Sequence, residues 1–287
     1  GWGAFLDLSG KEEFWWDYLA DTGDGWNATM SVAWLLGRDA LVLREDGQPS
    51  PQTVPGGQEE FRPEQEDGTI ILPHGDLLVA GGDQVYPTAS PDSYQQRFND
   101  PLDCARHSQT PSRAILAIPG NHDWYDGLTS FIRLFCQKGD ARRWFGAWRT
   151  QQRRSYFAVR LPHGWWLWGT DTALGDDLDP PQYDYFREMA VQHLKDGERV
   201  ILCIPGPHWD MEDAKGQAEE DADRQLRNKL RIIVELAENQ GKAEVPLILT
   251  GDLHYYARFE EGDGRRQYLI CGGGGAFGLG KLNVSGG

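Results

Sequence analysis

Four short polar clusters carry the residue types that bind cations and move protons: Gly82-Asp83, "PGNHD" at 119–123, "PGPHWD" at 205–210 and "TGDLHYY" at 250–256. Carboxylate, amide and imidazole together make a hard-to-borderline donor set, suited to Mn, Fe, Zn or Mg. Taken singly, each cluster has a plain structural account. Asp83 would cap a helix, Asn121 and Asp123 would sit in turns, and His208 would be a core histidine satisfied by backbone. Their positions argue otherwise. Each follows a short apolar run, Leu77 to Ala80, Ala114 to Ile118, Val200 to Ile204 and Pro246 to Leu249, and a glycine lets the chain turn at the end of the run. Ligands of open α/β sheets gather beyond the carboxyl ends of strands, so four such loops can converge on one crevice. Asp83 has no Lys or Arg within ten residues, and an acid at the mouth of a buried strand needs a positive partner from elsewhere.

The elements that must position these residues are legible from pattern. Further apolar runs occur at Tyr156 to Leu161, Trp165 to Trp168 and Tyr268 to Cys271, several without polar alternation, as expected of strands covered on both faces. Between them lie helical patterns. Residues 222–238 place Leu226, Leu230, Ile233, Val234 and Ala237 on one stripe, and 181–195 opens with proline. Strands alternating with helices predict an α/β layered fold. Residues 45–73, rich in polar and turn residues, are expected to be a surface insertion and 88–112 a second long loop, in a single domain spanning 1–287.

The series GD, GNHD, a lone His and a final GDLH resembles the calcineurin-like metallophosphoesterases, and the match runs from residue 21 to 254. The resemblance implies a β-sandwich of two mixed sheets flanked by helices, two metal ions and hydrolysis of phosphate esters by a metal-bound hydroxide. Two departures matter. The early motif "ADTGDG" at 20–25 has Gly23 where much of the family has histidine, and Tyr86 stands three residues after Asp83. That exchange resembles the purple acid phosphatase branch, in which a tyrosine supplies the missing ligand; alternatively Tyr86 packs near Pro87, and Asp24 or a water completes the site. The second departure is Asp252, which occupies the place of the first histidine of the last motif and makes one metal position harder and more anionic. By resemblance one site takes Asp21, Asp83, Tyr86 and His254, the other Asp83, Asn121, His208 and Asp252. His122, oriented by Asp123, would protonate the leaving group.

Composition bounds the alternatives. The 287 residues carry 44 acids against 28 bases, a net charge of −16, which argues against a nucleic-acid partner, and so against a nuclease of the same fold, and points to a small phosphorylated substrate. A non-catalytic metal-binding module is the other alternative, but it has no need of His122. No apolar stretch approaches a membrane span, the first residues lack signal-peptide character, and four scattered cysteines suit a reducing, cytoplasmic setting, with a Cys104–Cys136 disulfide left open. The run "GAFGLGK" at 275–281 has phosphate-loop spacing, but Leu282 stands where Ser or Thr should follow. Asp171 is expected to hydrogen-bond locally at a strand end. Aromatics follow several of the polar clusters (Trp124, Tyr125, Trp209, Tyr255 and Tyr256), and core packing is the expectation for them.

Overall fold

The strand Leu77–Ala80 has apolar residues at all four positions because both its faces are covered. Leu77 and Val79 point one way, into a core shared with Leu116, Ile118, Val159, Leu167, Ile201 and Leu249. Leu78 and Ala80 point the other way, against Tyr94, Phe98, Leu102, Phe131 and Phe135. That division organises the molecule. The computed structural model describes residues 5–43, 69–106, 113–139, 142–174, 178–209, 227–262 and 264–276. Its strands are β1 (Leu6–Asp7), β2 (Trp16–Leu19), β3 (Ala40–Leu43), β4 (Ile70–Pro73), β5 (Leu77–Ala80), β6 (Arg113–Ala117), β7 (Trp144–Phe145), β8 (Trp148–Thr150), β9 (Phe157–Arg160), β10 (Trp165–Gly169), β11 (Arg199–Cys203), β12 (Glu244–Thr250), β13 (Tyr256–Glu260) and β14 (Gln267–Cys271).

Two mixed sheets result. One runs β2-β5-β6-β8-β7, parallel except for β7; the other runs β1-β9-β10-β11-β12-β14-β13, with β10, β11, β12 and β14 parallel. They face each other across the core of Leu77, Val79 and their partners. Helices α1 (Trp26–Leu36), α2 (Pro91–Tyr94), α3 (Asp100–Cys104) and α4 (Thr129–Phe135) cover the outer face of the smaller sheet. Helix α5 (Pro180–Glu188) and the helical residues 227–240 cover the larger, where Trp166, Trp168, Val200 and Ile248 meet Phe186, Met189, Ile233 and Ala237. Of the stripe expected over 222–238, Leu230, Ile233, Val234 and Ala237 are buried, whereas 222–226 lie outside the described residues. Helix α5 starts as its sequence predicts: prolines occupy its first turn and Asp179 accepts a hydrogen bond from Gln182 N at 3.0 Å.

The expected insertion and the expected long loop both need correction. Residues 70–73 are strand β4, which pairs antiparallel with β3, so the segment between them, outside the described residues, leaves and returns at one place. Much of 88–112 is helical rather than loop, with residues 107–112 undescribed. Tyr94, Phe98 and Leu102 recur every fourth residue and all three are buried against β5 and β6, the spacing of one helix face. All four cysteines are free thiols, so the pairing of Cys104 with Cys136 is not made. Among the described residues no helix is long and apolar enough to cross a membrane.

Candidate active site

The polar clusters emerge from the carboxyl ends of parallel strands, two from each sheet. Asp83 follows β5 and residues 119–123 follow β6 in the smaller sheet; His208 follows β11 and Asp252 and His254 follow β12 in the larger. Asp21 comes from β2, a strand whose sequence, Trp-Asp-Tyr-Leu, gives no apolar run to find it by. Because the sheets face each other, these ends meet. Asp252 N donates to both Asp21 oxygens, at 3.1 and 2.9 Å, joining residues 231 apart in sequence. His122 N donates to Asp83 Oδ1 at 2.9 Å.

Tyr86 lies at the centre. Its hydroxyl oxygen is 2.9 Å from Asp21 Oδ1, 3.0 Å from Asp83 Oδ2 and 2.9 Å from His254 Nε2. A hydroxyl has one hydrogen, so it can donate to only one of the two carboxylates at a time. Gly23 explains why the oxygen comes from Tyr86. With φ +72° it takes the left-handed conformation, and a side-chain carbon there would lie 2.4 Å from the carbonyl oxygen of Gln84. Position 23 therefore has no room for histidine. The structure places the Tyr86 hydroxyl against Asp21, Asp83 and His254, while Asp24 contributes its carbonyl to Arg97 Nη1 at 2.8 Å.

Burial dominates the electrostatics of the site. Burial, followed by the charge of Asp83, holds the Asp21 carboxyl well above the usual carboxylate range; burial also raises Asp83 and, with Asp83, Asp123. Among the described residues no Lys or Arg pairs with Asp21, Asp83 or Asp123. His208 adds a second sign. Its buried Nε2 has no hydrogen-bond partner among the described residues, and burial, aided by the Lys229 charge, pushes its imidazole down to about 3. It is neutral, with a ring nitrogen available to a ligand. The core-histidine account, which requires that nitrogen to be satisfied, does not fit it.

Among the described residues, four of the seven non-glycine residues with positive φ are Asp21, Asp83, Asp252 and His254. Such backbone costs roughly 1–3 kcal/mol per residue and concentrates at functional sites. No sequence signal announces it.

The second set of ligands is assembled less completely. A side-chain carbon at Gly206 would lie 3.2 Å from His208 Cε1 and 3.4 Å from Asp252 Oδ2, so those two groups flank one point. Gly120 packs so closely on Asp83 that such a carbon would lie 2.1 Å from Asp83 Oδ1, which seats Asn121 beside it. The Asn121 amide, however, is turned toward the Tyr125 hydroxyl, 3.4 Å away. Among the described residues no group of three or more His, Cys, Asp or Glu could hold a metal ion as it stands. The donors that do converge include a tyrosine oxygen.

His122 is oriented by a residue the sequence did not point to. Its Nδ1 donates to the carbonyl of Pro87 at 2.7 Å, and its ring lies on that of Tyr86, with centroids 4.3 Å apart. Asp123 does something else: fully buried, it accepts from Gly120 N at 2.9 Å, from Gln84 N at 3.4 Å and from the Tyr94 hydroxyl. It braces the loop that carries Asn121 and His122. Tyr94 was hidden in a segment expected to be loop.

Asp171 is also not local, since it accepts from Trp124 Nε1 at 2.9 Å and so ties the end of β10 to the same loop. Trp209 packs on Tyr268 as expected of a core aromatic. Tyr125 and Tyr256 do not, being 56% and 69% exposed. No family model and no curated protein matches the chain, so the geometry of these strand ends carries the functional reading.

Proposed function

We propose that the protein is a metal-dependent hydrolase of phosphate esters with a dinuclear centre in a metallophosphoesterase-type sandwich. The observation that carries this reading is the meeting of Asp21, Asp83 and His254 on the Tyr86 hydroxyl with the His122 ring directly against it. Three buried acids that among the described residues have no Lys or Arg partner, and a buried histidine whose Nε2 has no hydrogen-bond partner there, suit cations in their midst. Asp21, Asp83, Tyr86 and His254 would hold one ion, and Asp83, Asn121, His208 and Asp252 the other. When bound, two such ions supply positive charge to a phosphoryl group and acidify water near neutral pH.

The chain's own groups account for the rest. Asp83 sits between the two ligand sets and is fixed by His122 N. With Nδ1 committed to the Pro87 carbonyl, His122 has Nε2 to carry the proton that a departing alkoxide takes up. Asp123 and Tyr94 hold the loop so that this nitrogen keeps its place. A binding module would not require an imidazole held in that way beside the ligands.

The test is to strip the protein with chelator, reload it with Mn, Fe, Zn or Mg, and assay aryl monoesters and diesters. Asp83→Asn should lose both metal content, by elemental analysis, and turnover. An Asp83→Asn protein that keeps its metal would sink the ligand assignment, and a metal-loaded wild type inert toward every ester would sink the hydrolase reading.

A further inference from the structure

Three rings form a series running outward from the centre of the site. Tyr86 is buried, with its hydroxyl among Asp21, Asp83 and His254. His122 lies on it at 4.3 Å between centroids and is partly exposed. Tyr125 lies on the other side of His122 at 4.9 Å, tilted by 60°, and is 56% exposed. The outermost ring is held by two neighbours: it meets the His122 imidazole at a 60° tilt and its hydroxyl accepts from Asn121 Nδ2 at 3.4 Å. Nothing in the core needs Tyr125. The preceding Trp124 packs into the core and is hydrogen-bonded to Asp171, whereas Tyr125 presents its ring to solvent.

We propose that Tyr125 is a stacking platform for a planar aromatic ring on the leaving group, so that the preferred substrates are phosphate esters of aryl or base-bearing alcohols. This rests on the hydrolase reading above. The argument is one of adjacency. The proton for the leaving oxygen comes from His122, whose Nδ1 is occupied by Pro87, so the leaving group must sit beside the outer part of this ring. A substituent carried on that oxygen then meets the neighbouring Tyr125. An exposed tyrosine ring already fixed at one edge loses little conformational freedom when it stacks, and aromatic pairs gain from offset or edge contact beyond simple area burial. The strongly acidic chain suits a small ester rather than a nucleic-acid polymer.

The experiment compares the wild type with Tyr125→Phe and Tyr125→Leu. One readout is kcat/KM for phenyl phosphate against butyl phosphate. The other, independent of turnover, is the Kd ratio of benzylphosphonate to pentylphosphonate, in which a carbon replaces the ester oxygen. Dividing each variant's aryl-to-alkyl ratio by that of the wild type cancels the intrinsic reactivity of the phenyl ester. Tyr125→Leu should lower the kcat/KM ratio and raise the Kd ratio by about tenfold each, the upper end for one aromatic pair, and Tyr125→Phe should keep them because the ring remains. A Leu variant with wild-type ratios, or a Phe variant as impaired as Leu, would overturn the platform. A wild type that hydrolyses neither ester with any metal refutes the hydrolase reading instead, and the phosphonate ratio then decides the platform by itself. Adding a nucleoside monophosphate to the binding series separates a base from a simple aryl ring as the preferred group.

Discussion

Asp171→Asn should make the protein more stable near neutral pH and leave it unchanged near pH 4. Asp171 accepts from the Trp124 indole, and its carboxyl is pushed up from 3.8 to about 6, mainly by burial, with the Ser155 and Trp124 hydrogen bonds opposing the rise. A folded-state pKa above the unfolded one means that the folded protein holds this proton more tightly. Stability is therefore full below the unfolded value, falls as pH rises from about 4 to about 6, and is flat above that. A rise of roughly two units at about 1.4 kcal/mol per unit costs about 3 kcal/mol at pH 8, a large part of the ~5–15 kcal/mol by which domains are stable. Asparagine keeps an acceptor for Trp124, and the Ser155 hydroxyl can turn to accept from the new amide, so the substitution removes the charge and little else. Urea unfolding of metal-free protein from pH 4 to 8 measures the difference. A variant no more stable than wild type at pH 8, or a difference independent of pH, would refute the reasoning.

Gly120→Ala should destabilise the protein by about 1–3 kcal/mol and abolish metal uptake, because the new carbon would lie 2.1 Å from Asp83 Oδ1 and 2.5 Å from its backbone nitrogen; thermal melts with and without Mn(II) check this. His122→Asn should keep bound metal while slowing alkyl esters far more than activated aryl esters, whose departing phenolate needs little protonation; equal losses on both would count against a proton donor. Burial and the charges of Asp21 and Asp83 push the Tyr86 phenol far above its ordinary value, and a strongly acidic cation such as Fe(III) is the one best suited to bind it as phenolate. Iron-loaded wild type should therefore be coloured by charge transfer and Tyr86→Phe should not, whereas a colourless wild type would leave Tyr86 a hydrogen-bonding residue only.

What the sequence yields here depends on how local the cause is. The strands buried on both faces declare themselves as unbroken apolar runs, and β5, β10 and β11 fall within a residue of the runs that predict them. Asp83, Asn121, His208, Asp252 and His254 stand out as candidates because glycine and polar residues stand where those runs end, whereas Asp21 and the ligand role of Tyr86 come through the resemblance alone. Strand β2 was not, since a carboxylate and two large aromatics interrupt its pattern, although Asp17 is satisfied by Gly75 N at 3.0 Å. The helical face Tyr94, Phe98 and Leu102 was masked by polar neighbours of turn-forming type. The orienting of His122 by a backbone carbonyl leaves no mark in sequence at all, because any residue at position 87 offers that oxygen. Likewise, that Asp123 braces the loop rather than the imidazole depends on a tyrosine hydroxyl delivered by a helix nearly thirty residues earlier.

The contact between Asp21 and Asp252 also fixes when the site can exist. Asp21 is made 231 residues before Asp252, yet its carboxylate is enclosed by Gly251 and Gly272, which flank the pair β13 and β14. Closing so long a loop is slow compared with forming helices and adjacent strand pairs. The smaller sheet, most of it made from the first half of the chain, can thus assemble around an acid that is still in water, and the desolvation of that acid is deferred to the arrival of β12 and β14. The acid and the loop that encloses it are thus joined only once β12 is in place, and a chain truncated before residue 250 would leave the Asp21 carboxylate without the Asp252 N–H.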